Sequence, residues 1–134
     1  MQNKEQLVAV YGSLRKSLHN HSLLAGSEYI GEYITEPIYD MYSVSGSYPG
    51  LIQHGSTSIH MEVYSVTDVV ATNLDRLEGY KVGQEDSNHY NKVTVDTPFG
   101  KASLYIYNHS VKSMVKVESG NWVSFKEYVK TLMY

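Results

Sequence analysis

An apolar segment that stops abruptly at a glycine most constrains the fold of this chain. Residues Gln6–Tyr11 are almost all apolar, which is typical of a strand buried in the centre of a sheet. Gly12 and Ser13 then turn the chain, so backbone N–H groups gather at the end of that strand, where ligands often bind. Glycine allows close approach, and N–H groups suit a carboxylate or a developing oxyanion. For this segment alone, an ordinary strand-to-loop turn without a ligand is an open alternative.

A later segment predicts a helix with well-defined ends. Thr67 or Asp68 is a favourable N-cap, and a carboxylate at this end is stabilised by the helix dipole. We expect the helix to run to Leu77 or Glu78, because Gly79 is a natural terminator.

The position of Glu78 on this helix suggests chemistry. Apolar residues recur at Val70, Leu74 and Leu77, which predicts the inward face, and Glu78 lies only ~40° around the axis from Leu74. Burial and the C-terminal end of the helix dipole would both raise the pKa of Glu78 towards that of a general acid/base. The alternative is a carboxylate that frays into water. Asp75 is predicted to be a solvated surface charge.

The rest of the chain predicts an α+β domain covering residues 1–134, with the sheet curled towards a barrel. Turn clusters are predicted at 46–50 and 54–56 and a polar loop at 81–88, while 110–117 is ambiguous. Beyond the first strand and the capped helix, the predicted elements are a helical turn at 21–25, two strands within 28–44, a strand at 58–66, a hairpin of 91–96 with 101–107, and a helix at 123–133.

Composition excludes several classes of protein. A net charge of −3 with scattered Lys and Arg argues against nucleic-acid binding, which needs a clustered basic surface. No apolar run approaches the ~18 residues of a membrane span, and the polar N-terminus does not resemble a signal peptide. With no cysteine, the chain has neither disulfides nor thiolate metal ligands, and we expect a cytoplasmic protein.

Neither a metal nor a cofactor is expected. Six histidines are spread along the chain, and only His19 and His21 are close together, without further ligands nearby. Arg15 could pair with an anionic ligand, although a single arginine after a turn is usually a surface charge. The 13 tyrosines, against two phenylalanines, suit half-buried sheet faces and the walls of polar pockets.

Seven motifs together resemble the gamma-glutamylcyclotransferase-like (AIG2-like) family, and they occur in the family's order. The strongest is Leu74–Tyr80, which fits the family's Leu-Asp-x-x-Glu-Gly motif. The others are Val10–Arg15, which resembles its Tyr-Gly-Ser/Thr-Leu signature, Asn20-His21, Tyr48–Leu51, Glu62–Tyr64, Tyr90 with Val93, and Ser119–Trp122. Two positions depart from the pattern: Met61 stands where glycine is usual and could narrow the pocket, and Lys81 stands where proline is common.

The resemblance implies a small mixed β-barrel with flanking helices and an enzyme that releases 5-oxoproline from a γ-glutamyl amine or peptide. In such enzymes the substrate's α-amine attacks its own γ-carbonyl, and the residue matching Glu78 acts as acid/base. The residues matching the substrate pocket are Tyr11, Gly12, Ser13, Leu14 and Tyr90.

Three questions stay open at this level. A binding module that keeps the fold and pocket but has no activity is the main alternative to an enzyme. The leaving amine could be a free amino acid, a lysine side chain or a polyamine. The oligomeric state is undetermined.

Overall fold

The computed structural model describes residues 5–132, in which eight strands, two α-helices and a short 3₁₀ helix are found. The strands are β1 (Glu5–Val10), β2 (Glu28–Ile34), β3 (Tyr39–Ser45), β4 (Tyr48–Thr57), β5 (His60–Thr67), β6 (Tyr90–Thr97), β7 (Gly100–Tyr107) and β8 (Val115–Lys116). The helices are α1 (Asp68–Glu78) and α2 (Trp122–Leu132), and the 3₁₀ helix spans His21–Leu24.

The described strands form two sheets. The larger has the order β2-β5-β1-β7-β6, in which β1 and β7 run parallel and all other neighbours run antiparallel. The smaller has the order β4-β3-β8 and is antiparallel throughout. The predicted α+β class is confirmed, and the strands curl into two sheets rather than closing into one continuous barrel.

Strand β1 is buried on both faces, as its apolar sequence predicts. Ala9 points into a core shared by both sheets, where Met41 and Leu51 of the smaller sheet meet the larger one. Val8 and Val10 point the other way, into a second core beneath α1. The molecule therefore has three layers, with the larger sheet in the middle, and the C-terminal end of β1 lies between the other two.

Helix α1 has the ends that the sequence predicts. The Oγ1 of Thr67 accepts a hydrogen bond from the N–H of Val70 at 3.3 Å, which caps the first turn. Gly79 ends the helix in the left-handed conformation, with φ of 67°. Leu74 is completely buried, but Leu77 is 40% exposed, so its assignment to the inward face was wrong.

The predicted turn at 54–56 is instead part of β4. Pairing jumps from Tyr39 opposite Thr57 to Asp40 opposite Ile52, so a bulge accommodates the extra residues. The Oδ1 of Asp40 accepts hydrogen bonds from the N–H of Ser56 at 3.2 Å and the hydroxyl of Thr57 at 3.0 Å, which hold the bulge. Strand β4 also begins within the predicted turn at 46–50, and as an edge strand it tolerates a proline.

The C-terminal third is close to the prediction. The hairpin β6–β7 and helix α2 form as expected, although the predicted end of that helix at 133 lies outside the described residues. In the ambiguous segment 110–117, the short strand β8 pairs with β3. Within residues 5–132, no helix combines the length and apolar character that crossing a bilayer requires.

Gly120 fixes the turn before α2 against the start of β5, and this contact can be tested. A Cβ on Gly120, which has φ of 67°, would overlap the backbone carbonyl of Ser58, whereas one on Gly83, with φ of 83°, would meet nothing. We expect Gly83→Ala to lower the free energy of unfolding by about 1 kcal/mol, the cost of the left-handed backbone alone. Gly120→Ala should cost about 3 kcal/mol or more in urea denaturation. Equal costs for the two variants would contradict this packing.

Candidate active site

A cavity of about 320 Å³ opens at the C-terminal end of β1, where the three layers meet. Residues from six separate segments of the chain line it: 9–14, Asn20, Tyr48 with Pro49, Leu77 with Glu78, His89 with Tyr90, and Tyr105. All six residues that the sequence suggests for catalysis or substrate binding are in this set. The structure therefore brings them together, while their roles stay predictions.

The loop after β1 presents unused N–H groups. Its turn is closed by the N–H of Arg15, which donates to the carbonyl of Gly12 at 2.9 Å. Among residues 5–132, the N–H groups of Gly12, Ser13 and Leu14 donate to no protein acceptor. Three adjacent N–H donors at a cavity wall can stabilise negative charge on a bound ligand.

Glycine at position 12 is required by a neighbouring segment. A Cβ on Gly12 would lie 2.6 Å from the Cδ of Pro49, so only glycine lets the loop and β4 approach this closely. The Tyr48-Pro49 motif on β4 therefore packs directly against the Tyr11-Gly12 motif of the loop. The sequence analysis gave Gly12 a ligand-side role, and the structure adds this packing role.

The residues Asn20 and His21 fasten the loop from the side of the 3₁₀ helix. The Nδ2 of Asn20 donates to the Oγ of Ser13 at 2.8 Å, and the Nδ1 of His21 lies 2.8 Å from the carbonyl oxygen of Leu14. His21 is therefore engaged with the loop backbone. Among residues 5–132, no group of three or more His, Cys, Asp or Glu side chains could hold a metal ion.

Arg15 is buried, so its interpretation as a surface charge was wrong. Its Nε donates to the Oε2 of Glu62 at 2.8 Å, and its Nη1 donates to Asn121 at 3.1 Å. Glu62 also accepts hydrogen bonds from the N–H of Lys16 at 3.0 Å and the hydroxyl of Tyr64 at 2.8 Å. Burial acts to raise the pKa of Glu62, but these bonds outweigh it and lower that pKa. The pair anchors the far end of the loop.

Glu78 is a half-buried carboxyl of the opposite kind. Burial raises its pKa to about 7, and within residues 5–132 no cation or hydrogen-bond donor offsets that effect. Its charge contributes to raising the pKa of Tyr11, after burial of that hydroxyl, so the end of α1 and the end of β1 face the same space. Of the two predicted positions for Glu78, solvent and cavity, the structure has the second.

Asp75 is not the solvated charge that the sequence analysis expected. It accepts a hydrogen bond from the hydroxyl of Tyr105 at 2.6 Å and forms an ion pair with Lys92 at 2.8 Å. Burial and this hydrogen bond hold the pKa of Tyr105 far above its ordinary value. Asp75 therefore ties the last turn of α1 to β7 and fixes a ring of the cavity wall.

The tyrosines Tyr11 and Tyr90 supply rings, with their hydroxyls already engaged. Tyr11 donates to the carbonyl of Tyr105 at 2.7 Å, and Tyr90 donates to the carbonyl of Pro49 at 2.6 Å. Burial is the largest cause that raises the pKa of both hydroxyls far above the ordinary value for tyrosine, so both hydroxyls stay neutral. In this state their rings shape the cavity wall.

Sequence reasoning missed Tyr48, His89 and Tyr105 as cavity residues. Tyr48 stands in a motif that the sequence analysis had singled out as a turn, but His89 and Tyr105 carry no local signal. Met61, flagged as a residue that could narrow the pocket, is instead packed in the core between the sheets and is not among the residues that line the cavity.

Comparison with known proteins decides the family. The family model for "Gamma-glutamyl cyclotransferase, AIG2-like" matches residues 8–124. The chain belongs to the gamma-glutamylcyclotransferase (AIG2-like) family. A Vibrio cholerae protein named "Putative gamma-glutamylcyclotransferase" is 39% identical over 118 residues, which cover 88% of this chain and 96% of that protein.

Two solved structures of this type are similar along almost the whole chain. The crystal structure of an uncharacterized protein from Pyrococcus horikoshii has a TM-score of 0.76 and 25% identity, covering 96% of this chain and 99% of that one. The solution structure of ytfP from Escherichia coli has a TM-score of 0.69 and 28% identity, covering 90% of this chain and 98% of that one. The resemblance to this family is thus confirmed.

The burial of Glu78 predicts a pH-dependent stability difference in Glu78→Gln. The folded-state pKa of about 7 lies above the unfolded value of about 4.5, so the folded state binds more protons between these pH values and loses stability as the pH rises through them. Glutamine has no charge to bury. The free energy of unfolding of the variant minus that of the protein should therefore rise by about 3 kcal/mol from pH 4 to pH 8 in urea titrations. A difference independent of pH would contradict the burial of this carboxyl.

Proposed function

We propose that this protein is a γ-glutamyl cyclotransferase that releases 5-oxoproline from a γ-glutamyl amine or peptide. The observation that carries the proposal is a half-buried carboxyl, Glu78, which has no partner among residues 5–132. It lies in the same cavity as three backbone N–H donors that no acceptor in that range uses. Membership of the family supports the same class of reaction.

The reaction needs few groups because the nucleophile belongs to the substrate. Glu78 in its carboxylate form takes a proton from the α-ammonium, and the freed amine attacks the γ-carbonyl carbon. The new C–N bond closes a five-membered ring, and the carbonyl oxygen becomes an oxyanion. Holding the substrate's glutamyl unit folded for this attack removes much of the entropic barrier, which can amount to ~7 kcal/mol in favourable cases.

The loop donors and Glu78 then complete the cycle. The N–H groups of Gly12, Ser13 and Leu14 are the candidate donors for the oxyanion and for the substrate's α-carboxylate. Protonated Glu78 returns its proton to the leaving nitrogen, the old C–N bond breaks, and the amine departs. The regenerated carboxylate then takes the remaining extra proton from the ring nitrogen and passes it to solvent, which leaves 5-oxoproline in the cavity. A pKa of about 7 lets one carboxyl serve as base and then as acid at neutral pH.

The contacts that hold the loop after β1 explain how a small domain could carry out this reaction. The loop is held by Asn20 and His21 on one side and by the Arg15–Glu62 pair on the other. Donors fixed in this way need no reorganisation when charge develops, which is the condition for effective oxyanion stabilisation.

Turnover of a γ-glutamyl panel tests the proposal. We expect 5-oxoproline from at least one neutral γ-glutamyl amide, measured by chromatography. Glu78→Gln removes the proton acceptor and should lower kcat by at least ~100-fold, the range of one general acid/base. The matched control is Glu127→Gln on the exposed side of α2, which should retain activity.

Three results would contradict parts of this account. Full activity of Glu78→Gln would remove Glu78 from the chemistry. Loss of activity in Glu127→Gln as well would point to a general effect on folding. Saturable binding of γ-glutamyl amides without 5-oxoproline from any of them would identify a binding module in place of an enzyme.

A further inference from the structure

Five aromatic side chains form a continuous wall at one side of the cavity. The aromatic wall consists of Tyr48, His89, Tyr90, Tyr107 and His109, whose neighbouring ring centroids lie 4.9 to 6.4 Å apart. Most of these pairs meet edge to face, the favourable arrangement for aromatic rings. Four elements contribute: the start of β4, the start of β6 with the residue before it, the end of β7 and the loop after β7.

The aromatic wall leads from the inside of the cavity to its mouth. Tyr90 is 3% exposed, Tyr48 and His89 are half-buried, and His109 is exposed. Tyr48, His89 and Tyr90 line the cavity directly. Leu77, the apolar residue of α1 that is 40% exposed, also lines the cavity. A ligand that reaches outward from Glu78 therefore passes between Leu77 and aromatic rings.

Charged partners for such a ligand are missing from this region. Among the described residues that line the cavity, Glu78 is the only carboxylate, and there is no lysine or arginine. Burial and the neighbouring His109 lower the pKa of His89, which favours the neutral form of its ring. A leaving group with a carboxylate or an ammonium inside the mouth would lose hydration without a counter-charge, which is unfavourable.

The cyclisation chemistry determines which part of a substrate meets the aromatic wall. The glutamyl unit must fold into a five-membered ring beside Glu78 and the loop N–H donors, so it stays compact at the inner end. The leaving amine is the part that continues from the γ-carbonyl. It therefore occupies the space between that inner end and the mouth.

We propose that the leaving amine of the natural substrate is an arylalkylamine with no charged group besides the reacting nitrogen, which is neutral in the γ-glutamyl amide, and that its ring binds against Tyr48 and His89 of the aromatic wall. This inference rests on the proposed function, since it names the substrate class of the same site. A free amino acid, a free lysine joined through its side chain and a polyamine each keep a charged group outside the γ-glutamyl amide bond, and the mouth does not match that charge. Neutral γ-glutamyl amides of arylalkylamines match both its shape and its lack of charge.

A matched set of four amides tests the inference. The γ-glutamyl amides of 2-phenylethylamine and 2-cyclohexylethylamine share one carbon skeleton and differ in aromaticity, while those of 1,4-diaminobutane and glycine add a positive or a negative charge. We expect kcat/KM for 5-oxoproline release to be about fivefold higher for the phenyl than for the cyclohexyl amide. Both neutral amides should exceed both charged ones by about tenfold or more.

Variants at Tyr48 distinguish the effect of its aromatic ring from the effect of the volume that the side chain occupies. No protein partner engages the Tyr48 hydroxyl among residues 5–132, so Tyr48→Phe should keep the preference for the phenyl amide. Tyr48→Leu keeps apolar bulk but removes the ring, and should bring the phenyl-to-cyclohexyl ratio close to one. Tyr128→Leu, at a 59% exposed position on α2, is the matched control and should leave the ratio unchanged.

The outcomes distinguish a failure of this inference from a failure of the proposed function. Release of 5-oxoproline with charged amides preferred, or with no preference for the phenyl amide, would overturn the aromatic subsite and leave the cyclotransferase intact. Absence of release from all four amides would overturn the proposed function. In that case, calorimetry with Glu78→Gln would still test the aromatic subsite. If the phenyl amide binds this variant no more tightly than the cyclohexyl amide does, the subsite is contradicted.

Discussion

The burial of Glu78 at the end of α1 is the constraint on which the site depends. A carboxyl there faces the unfavourable end of the helix dipole and an apolar wall, and no cation in the described part of the chain offsets either effect. The helix can hold it because other contacts fix the ends of α1. These contacts are the Thr67 cap, the buried Leu74 side chain, and the bonds from Asp75 to β6 and β7.

Two glutamates in this small domain illustrate opposite uses of one side chain. Glu62 is surrounded by donors and bound to Arg15, so its pKa is lowered and its charged form is favoured. Glu78 has no such partners among residues 5–132, and its pKa is raised to about 7. Environments that separate the pKa values of two like groups often separate structural from chemical roles. Here Glu62 organises the loop, and Glu78 is left able to exchange a proton.

The parts of the fold that the sequence predicts are those with local signals. Helix α1 has its cap and its terminating glycine within its own segment, and β1 is apolar on both faces because it is central. The cavity residues of the loop and α1 were found for the same reason. Leu77 was misassigned because the spacing of apolar residues predicts which face of a helix turns inward. It does not predict how far along the helix the packed surface extends. The bulge in β4 was misread as a turn, since glycine and serine occur in both.

The remaining features arise from contacts between distant parts of the chain. Arg15 and Glu62 are 47 positions apart, and Asp75 and Tyr105 are 30 apart, so neither pair is visible in a short window. The aromatic wall likewise draws on four separate elements. Each charged residue in these pairs resembles a surface residue until the partner is brought against it, and only the tertiary fold does that.

The most direct test of the central claim is the titration of Glu78 itself. Carbon-13 NMR of the side-chain carboxyl, assigned by its absence in Glu78→Gln, gives its pKa in the free protein. The account predicts a midpoint near pH 7. A midpoint near the ordinary value of about 4.5 would show a solvated carboxylate and contradict both the buried acid/base and the mechanism built on it.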